Sequence, residues 1–566
     1  MTKRTEKKEI GRTVSALWVG VSLALAAGAA FAALPAYTPA ETNAIRSLGR
    51  EPVRQLQEDV DRYRQSEEVR QMIEKRREME AREPVKAEPS EKKGFEFELK
   101  SIDHNESEVL TTDEIAKAVA PFLGRRVGMP EVREMLARIN ALYREKGYVV
   151  CEARLRPQRI RNGRLFVTLV EGKTGAVTVT GNETTNEGFI RGAFDLEEGK
   201  VANYREMSAD LVHFNMTNDV VLTIDIRAGT EPGTTDYEIT SHEPPLWTAT
   251  VFADTTGSRS TGRPRAGASV TNRSVFGRRD AATLLGLASE GSKSVMFSYA
   301  IPLTSKGTRL SASASYGEVE VIQGPSTEGD VEGTSEYYSL RLDHPVYVDS
   351  DMKWTVYGEW SRQKSSTDFF AVTIADTTID TWRSGVEAIF LTDRSVFYAT
   401  TGIGRAKVDE HVFGEEWNQT IVTGNAFWKV QATPSIALSL TGAWQSLLGG
   451  DPLHTSQYFY LGHTSGVRGY ENDVISAESG AYVNAQIDWA LAGPGTSLFG
   501  FFDAGKLGGE TAYAKTGLAS VGAGVTWPLW QGASVTGTVG VPLVRHLGEE
   551  MHVNKARFDL ALVATW

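Results

Sequence analysis

From Pro245 to Trp566 apolar and polar residues alternate with a period of two, the spacing of a β-strand with unlike faces. In TRLSASASY, Leu310, Ala312, Ala314 and Tyr316 share one face and Ser311, Ser313 and Ser315 the other. SIALSLTGAW sets Ile436, Leu438, Leu440, Gly442 and Trp444 against Ser435, Ser439 and Thr441. The chain ends the same way, with Phe558, Leu560, Leu562, Ala564 and Trp566 alternating with Arg557, Asp559 and Thr565. Runs of about ten residues, apolar outward and polar inward, predict strands that cross a bilayer in a closed barrel.

A two-layer β-sandwich also alternates, and connection lengths separate the two architectures. About sixteen strands are counted from Leu246, an even number as expected of such barrels. Short links (LTDR, TPS, LAGPG) alternate with long ones, such as EVIQGPSTEGDVEGTSE and the stretch Gly449–Ser479. Tyr347, Trp354, Trp360, Trp382, Trp417, Trp527 and Trp530 fall at strand ends, where interfacial aromatic girdles sit. The expected barrel spans residues 244–566.

Upstream the period changes. Between Phe95 and Ser241 a β-α-α-β-β pattern of roughly 70 residues occurs twice, which is enough for a minimal α/β module. In the first copy (95–173), FEFELKSI alternates as a strand, and Thr111 with Glu114 forms a capping box. Pro130 stands near the start of a second helix, with Val132, Met135, Leu136, Ile139, Leu142 and Tyr143 on one face and Gly147 at its end. YVVCEARLRP and GRLFVTLVEG then read as strands. The second copy (174–243) runs through GAVTVTGNE, a helix from Tyr204 to Phe214, DVVLTIDI and TTDYEIT. Residues 33–83 carry a charge-dense helical segment with few apolar positions, which suits water or a polar cavity, and 84–94 form a Lys/Glu/Pro linker.

The first 32 residues join a basic start (Lys3, Arg4, Lys7, Lys8, Arg12) to an apolar run closing on Ala30-Phe31-Ala32, the layout of a signal peptide. A net charge of -12 and a pI of about 5.5 argue against nucleic acid as partner. The single Cys151 excludes an internal disulfide and is read as a small packed residue. No catalytic motif stands out, so no enzyme activity, cofactor or metal site is expected. His454 and His463 share a loop and are read as solvated.

One constellation remains. In SLFGFFDAGK the alternation turns Leu498, Gly500, Phe502 and Ala504 toward lipid and Phe501, Asp503 and Gly505 toward the lumen. One strand earlier lies a loop of about thirty residues carrying GHTSGVRGYEND. Folded inward, it would let Arg468 form a bidentate bond with Asp503, with glycines for close approach and Tyr470 against the wall.

These residues resemble a known family. Val467, Arg468, Gly469 and Tyr470 resemble the inward-folded sixth-loop motif of the POTRA-barrel superfamily, and Phe501, Asp503 and Gly505 its thirteenth-strand partner. With RPQRIRNGRLFVTLVEG as a linker between POTRA domains and DTTGSRSTGRPRAG as a first barrel hairpin, the chain is similar to TpsB transporters of two-partner secretion (ShlB/FhaC/HecB type). The hairpin departs from the usual pattern at Thr255 and Thr256. The resemblance implies two α+β POTRA domains in the periplasm, then a 16-stranded antiparallel transmembrane β-barrel in the outer membrane. It further implies an unfolded TpsA-like exoprotein as substrate, translocated without ATP. The other partners would be membrane lipid and the barrel assembly machinery that inserts the chain, which would act as a monomer. The charged helix could occupy the lumen and move out during secretion, with a periplasmic spacer as the other reading. Tyr204 and Met207 are candidate cargo contacts beside a sheet edge. The alternative function is a BamA-type assembly factor, which usually carries more POTRA modules.

Overall fold

The computed structural model describes Arg54 and residues 96–566, apart from short gaps at 325–326, 328, 465, 492–494, 510–512, 514 and 548–552. The expected signal peptide, charged helix (Arg54 excepted) and linker lie outside the described residues.

The first module begins with β1 (Phe97–Leu99) and β2 (Ser101–His104), one stretch divided at Lys100. Then come α1 (Thr112–Val119), β3 (Arg125–Val127), α2 (Met129–Glu145), β4 (Glu152–Arg154) and β5 (Arg164–Val170). The Thr111–Glu114 capping box is formed, and Gly147 takes the left-handed conformation that ends α2. Strands β2, β5 and β4 make the sheet, while β1 pairs with β3. Met135, Ile139 and Tyr143 of α2 pack on Leu165, Val167 and Cys151, whose burial pushes its thiol up to about 12. The strand expected over YVVCEARLRP shrinks to the three residues of β4. The residues before it turn instead, with Tyr148 N–H donating to Tyr143 O of α2 at 2.8 Å and Cys151 N–H to Tyr148 O at 3.2 Å, and β4 itself is tied to α2 by Ala153 N–H donating to Asn140 at 2.6 Å.

The second module contains β6 (Lys173–Thr180), α3 (Glu187–Arg191), α4 (Tyr204–Thr217), β7 (Val221–Ala228) and β8 (Thr234–His242), with sheet order β6-β8-β7. Its core gathers Ile190, Met207, Phe214, Leu222, Tyr237 and Ile239.

Sixteen antiparallel strands close the barrel. They are β9 (Trp247–Asp254), β10 (Arg265–Asn272), β11 (Ala281–Ser289), β12 (Ser292–Pro302), β13 (Arg309–Glu320), β14 (Glu332–Val348), β15 (Met352–Phe369) and β16 (Val372–Leu391). The second half comprises β17 (Ser395–Glu410), β18 (Glu415–Thr433), β19 (Ile436–Gly450), β22 (Ser479–Ala490), β23 (Ser497–Gly508), β24 (Gly517–Trp530), β25 (Ala533–Pro542) and β26 (Arg557–Thr565). A small hairpin, β20 (Phe459–Leu461) with β21 (Ile475–Ala477), lies within the connection between β19 and β22. The ring closes between β26 and β9 over a short register, from Ala561↔Asp254 to Thr565↔Thr250.

Alternation sorts the faces. Leu498, Phe502, Phe558 and Leu560 are exposed outward while Phe501, Asp503, Arg557 and Asp559 are buried. Closure leaves no barrel edge for unwanted pairing. Strands β14 to β18 outrun the apolar band. On β15 and β16, Trp360 meets Trp382 on the outer face at 6.5 Å, and the next outward pair is the Arg362–Asp380 salt bridge at 2.8 Å. A charged pair on that face belongs in water, so these strands continue beyond the membrane on the side away from the modules. Trp417 departs from the expected girdle. It faces inward and its ring lies 4.7 Å from that of His454.

Candidate functional site: the inward loop and the module–barrel joint

The connection between β19 and β22 folds into the barrel. It carries its own small core: Leu461, Val467, Tyr470, Ile475 and Ala477 pack with Leu507 and Leu518 of the wall and with Leu547. Two glycines permit the approach. Gly466 has φ +111°, and a Cβ there would meet the Tyr482 ring at 2.3 Å. Gly469 has φ +93° and lies on Gly540 of β25, with room for no side chain between them.

The approach brings Arg468 and Asp503 together. Arg468 Nε donates to Asp503 Oδ2 at 2.8 Å and Nη2 to Oδ1 at 2.9 Å, a bidentate pair. The Arg468 backbone N–H adds a third bond to Oδ2 at 3.0 Å. Nη1 donates to Gln486 Oε1 at 2.7 Å, and the guanidinium stacks 3.7 Å from the Phe501 ring centroid. Asp503 is fully buried, so its charge depends on this arginine. Val467 is buried in the loop core, Gly505 lies under Leu461, and the Tyr470 hydroxyl sits 2.8 Å from Ala519 O and 3.0 Å from Val544 O.

Sequence reasoning missed a second layer at the barrel seam. Arg557 is 4% exposed; its Nη1 donates to Tyr470 O at 2.9 Å and to Glu471 at 3.1 Å, and its Nε to Asp559 at 2.9 Å. Arg263 also pairs with Glu471, and Asn472 donates to Thr256 O at 2.8 Å. The loop thus ties the first hairpin to the last strand where pairing between β9 and β26 is short. The inward parity of Arg557 and Asp559 was readable, but their partner was not. His463 corrects the expectation of a solvated loop histidine. It is 9% exposed, lies 3.5 Å from Asp559 and is contacted by Gly469 N–H at 3.4 Å. Inward folding removes it from water, and among the described residues no group that could hold a metal ion forms around it or elsewhere. In the first hairpin, Thr255 and Thr256 do not disturb the charge pairing. Asp254 accepts from Arg265 at 3.0 Å and from Thr256 N–H at 2.8 Å.

Arg54 reaches this loop from far upstream. It pairs with Asp473 and lies 4.9 Å over the Tyr460 ring.

At the other end of the barrel the second module docks on the turns. Arg279, fully buried and with φ +58°, donates to both oxygens of Asp219 at 2.8 and 2.5 Å and to Thr184 at 3.0 Å. Asp280 beside it accepts from Phe276 N–H, Arg278 N–H and the Tyr299 hydroxyl at 2.7–3.1 Å. Met216 of α4 packs with Ile389, Leu391, Val396 and Tyr398 at the β16–β17 turn. The opposite end of α4 meets α2: Tyr204 N–H donates to Gly147 O at 3.0 Å, and Arg205 to Glu145 O at 2.9 Å. Tyr204 is 41% exposed at this junction, but Met207 is 5% exposed within the core. Helical spacing turns Met207 inward, which corrects its place among candidate cargo contacts.

A closed sixteen-stranded barrel, two small α/β modules of which the second docks on its turns, and an inward loop pinned by Arg–Asp define an outer-membrane transporter of the POTRA-barrel class. The family model for the haemolysin secretion/activation protein ShlB/FhaC/HecB matches residues 233–527, and that for the ShlB-type POTRA domain matches 97–172. The chain belongs to the ShlB/FhaC/HecB family. Among its relatives, the outer membrane transporter CdiB of Dickeya dadantii is 23% identical over 75% of this chain and 79% of its own. The heme/hemopexin transporter protein HuxB of Haemophilus influenzae (strain Rd) is 22% identical over 84% and 88%. The solved structure of CdiB from Escherichia coli aligns with a TM-score of 0.68 at 18% identity, covering 92% of this chain and 99% of that one.

Proposed function

We propose that the protein receives an unfolded secreted polypeptide in the periplasm and conducts it through the barrel lumen to the cell surface without ATP. The observation that carries this reading is the arrangement of the loop. It is held against one side of the lumen by the Arg468–Asp503 pair at its tip and by Arg557 and Arg263 on Glu471 beside it, within a barrel whose turns at the other end are already occupied by a docked module. Relatives named as hemolysin and heme/hemopexin transporters support an exoprotein as cargo. Capture would occur by strand addition at an open edge, and β2 and β7 both lie at sheet edges. Tyr204 would add a side-chain contact near the junction of the modules. The charged segment 33–83 would rest in the lumen, a reading supported by Arg54 against Asp473 and Tyr460. The chain would be placed in the membrane by the barrel assembly machinery and work as a monomer.

The test is reconstitution into liposomes with the modules facing outward. A urea-unfolded candidate exoprotein should become protease-protected inside, in the absence of nucleotide. Protection that requires ATP, or no protection with any exoprotein the host secretes, overturns the reading.

A further inference from the structure

Lumen-facing residues that are direct partners on neighbouring strands form rows running around the barrel. One row reads Thr248, Thr271, Thr283, Ser298, Ser313, Ser339, Ser361 and Thr381, a hydroxyl on every strand from β9 to β16. All eight are partly exposed, and the hydroxyls of Thr271 and Thr283 lie 2.9 Å apart. The next row outward is Thr250, Ser269, Leu285, Met296, Ser315, Tyr337, Gln363 and Ile379. The third is Phe252, Gly267, Leu287, Ser294, Gly317, Ser335, Ser365 and Thr377. None of the three rows contains a charge.

Charges begin where the rows end. One row toward the periplasm stand Arg341, Glu359 and Arg383, and Arg341 is engaged by Asp343 at 2.8 Å, Glu359 at 3.6 Å and Glu387 at 3.7 Å. One row toward the outside stand Asp254 and Arg265. A water-filled lumen tolerates charge, so three neutral rows between charged ones are not a requirement of the barrel itself. What these rows present instead is hydroxyl: all eight side chains of the first row carry one and are partly open to the lumen.

We infer that this half of the wall is a contact surface for an extended polypeptide of low charge density, a refinement that rests on the transport reading above. An extended chain in transit carries unpaired N–H and C=O groups at every residue. The wall strands cannot pair with it, because closure has used their own backbone groups. Hydroxyls serve instead: each donates once, accepts twice and rotates, so it serves either peptide group in either chain direction. Along a row they recur at roughly the 4.8 Å strand spacing. Side chains Arg468, on the connection between β19 and β22, and Asp503, on β23, are by contrast bound to each other on the opposite arc of the ring. A charged passenger finds no counter-ion on the neutral rows, so the surface favours segments built from small neutral polar residues and holds them weakly enough to move on.

The test uses single-channel recordings of the full chain in planar bilayers. Two synthetic peptides of equal length are added on the periplasmic side, one of Ser, Thr, Asn and Gly, the other alternating Lys and Glu. The neutral peptide should give the longer current blockades. Replacing Ser298, Ser313, Ser339 and Ser361 together by alanine should shorten them roughly tenfold while open-channel current stays unchanged. The single variant Ser339→Asp, which leaves the rest of the wall intact, should shorten neutral-peptide blockades and serves if the fourfold variant does not insert. Equal dwell times for the two peptides, or neutral-peptide dwell times unchanged in the variants, overturn the neutral-surface inference and leave the transport reading standing. Absence of blockade by either peptide in the unaltered chain overturns both.

Discussion

Two arginine–carboxylate pairs hold this molecule together across long sequence distances, and they are built differently. At the joint between the second module and the barrel Arg279 has no exposed side-chain surface, while its partner Asp219 is 20% exposed. In the lumen the carboxylate is the sealed member: Asp503 has no exposure and Arg468 keeps 24%. The Arg279 backbone also sits in a left-handed turn braced by Asp280, and Met216 adds a second anchor at the β16–β17 turn. Arg468 instead belongs to a loop that touches the wall through glycine and side-chain contacts. A sealed arginine in a braced turn suits a fixed joint, whereas an arginine still touching water on an inserted loop suits a contact that exchanges its partner for solvent during the proposed transport.

The comparison breaks first at the joint. Arg279→Ala would leave Asp219 with the longer contact to Arg273 at 3.9 Å beside a docked interface, at a cost of about 3 kcal/mol, the low end for a broken buried pair. The expected result is a pair of modules that melts or is cleaved near residues 243–246 separately from the barrel, measured by limited proteolysis against temperature. A single cooperative transition unchanged from the parent chain would show the two pairs to be equivalent.

Next comes the lumen. Arg468→Ala and Asp503→Ala should each insert as folded barrels yet reduce exoprotein export by roughly tenfold or more, since each removes hydrogen bonds to a charged group. The double variant should be little worse than either single one, because the pair acts as a unit. Normal export by both single variants would remove the loop from the mechanism. Arg468→Lys sharpens the point. It retains the charge but loses the fork, the Gln486 bond and the stacking on Phe501, so export should fall to a level between parent and alanine.

The smallest effect lies in the first module, far from both pairs. Hydrogen bonds from Lys146 and from Thr111 hold the Glu114 carboxyl down at about 2. Its unfolded value is about 4.3, so this exposed group stabilises the module above that pH and loses its contribution as pH falls toward 2. Thermal melts from pH 5 to 2 should therefore show a slightly shallower acid decline for Glu114→Gln than for the parent chain. Superimposable pH profiles would remove Glu114 from the account.

Much of the architecture was legible because it rests on local periodicity. Alternation at Leu498–Gly505 assigns lumen and lipid faces without any knowledge of neighbours, since successive residues of a strand must point oppositely. Thr111 with Glu114 and the turn at Gly147 are likewise local, involving bonds across a few residues. Face assignment and the count of strands therefore followed from one dimension.

What the chain's order alone could not decide is which distant groups meet. His463 and Trp417 were misplaced because their burial depends on a loop folding inward and on strands extending past the membrane. Met207 was misplaced because a helix's buried face is defined by the sheet it packs on. Arg557 finds Tyr470 and Glu471, and Arg279 finds Asp219, across sequence separations of 60 to 87. Propensity and periodicity act within a turn or a strand, whereas these contacts depend on closure of the ring, strand register and docking. Each is set by the summed packing of the whole barrel, so only the tertiary structure decided them.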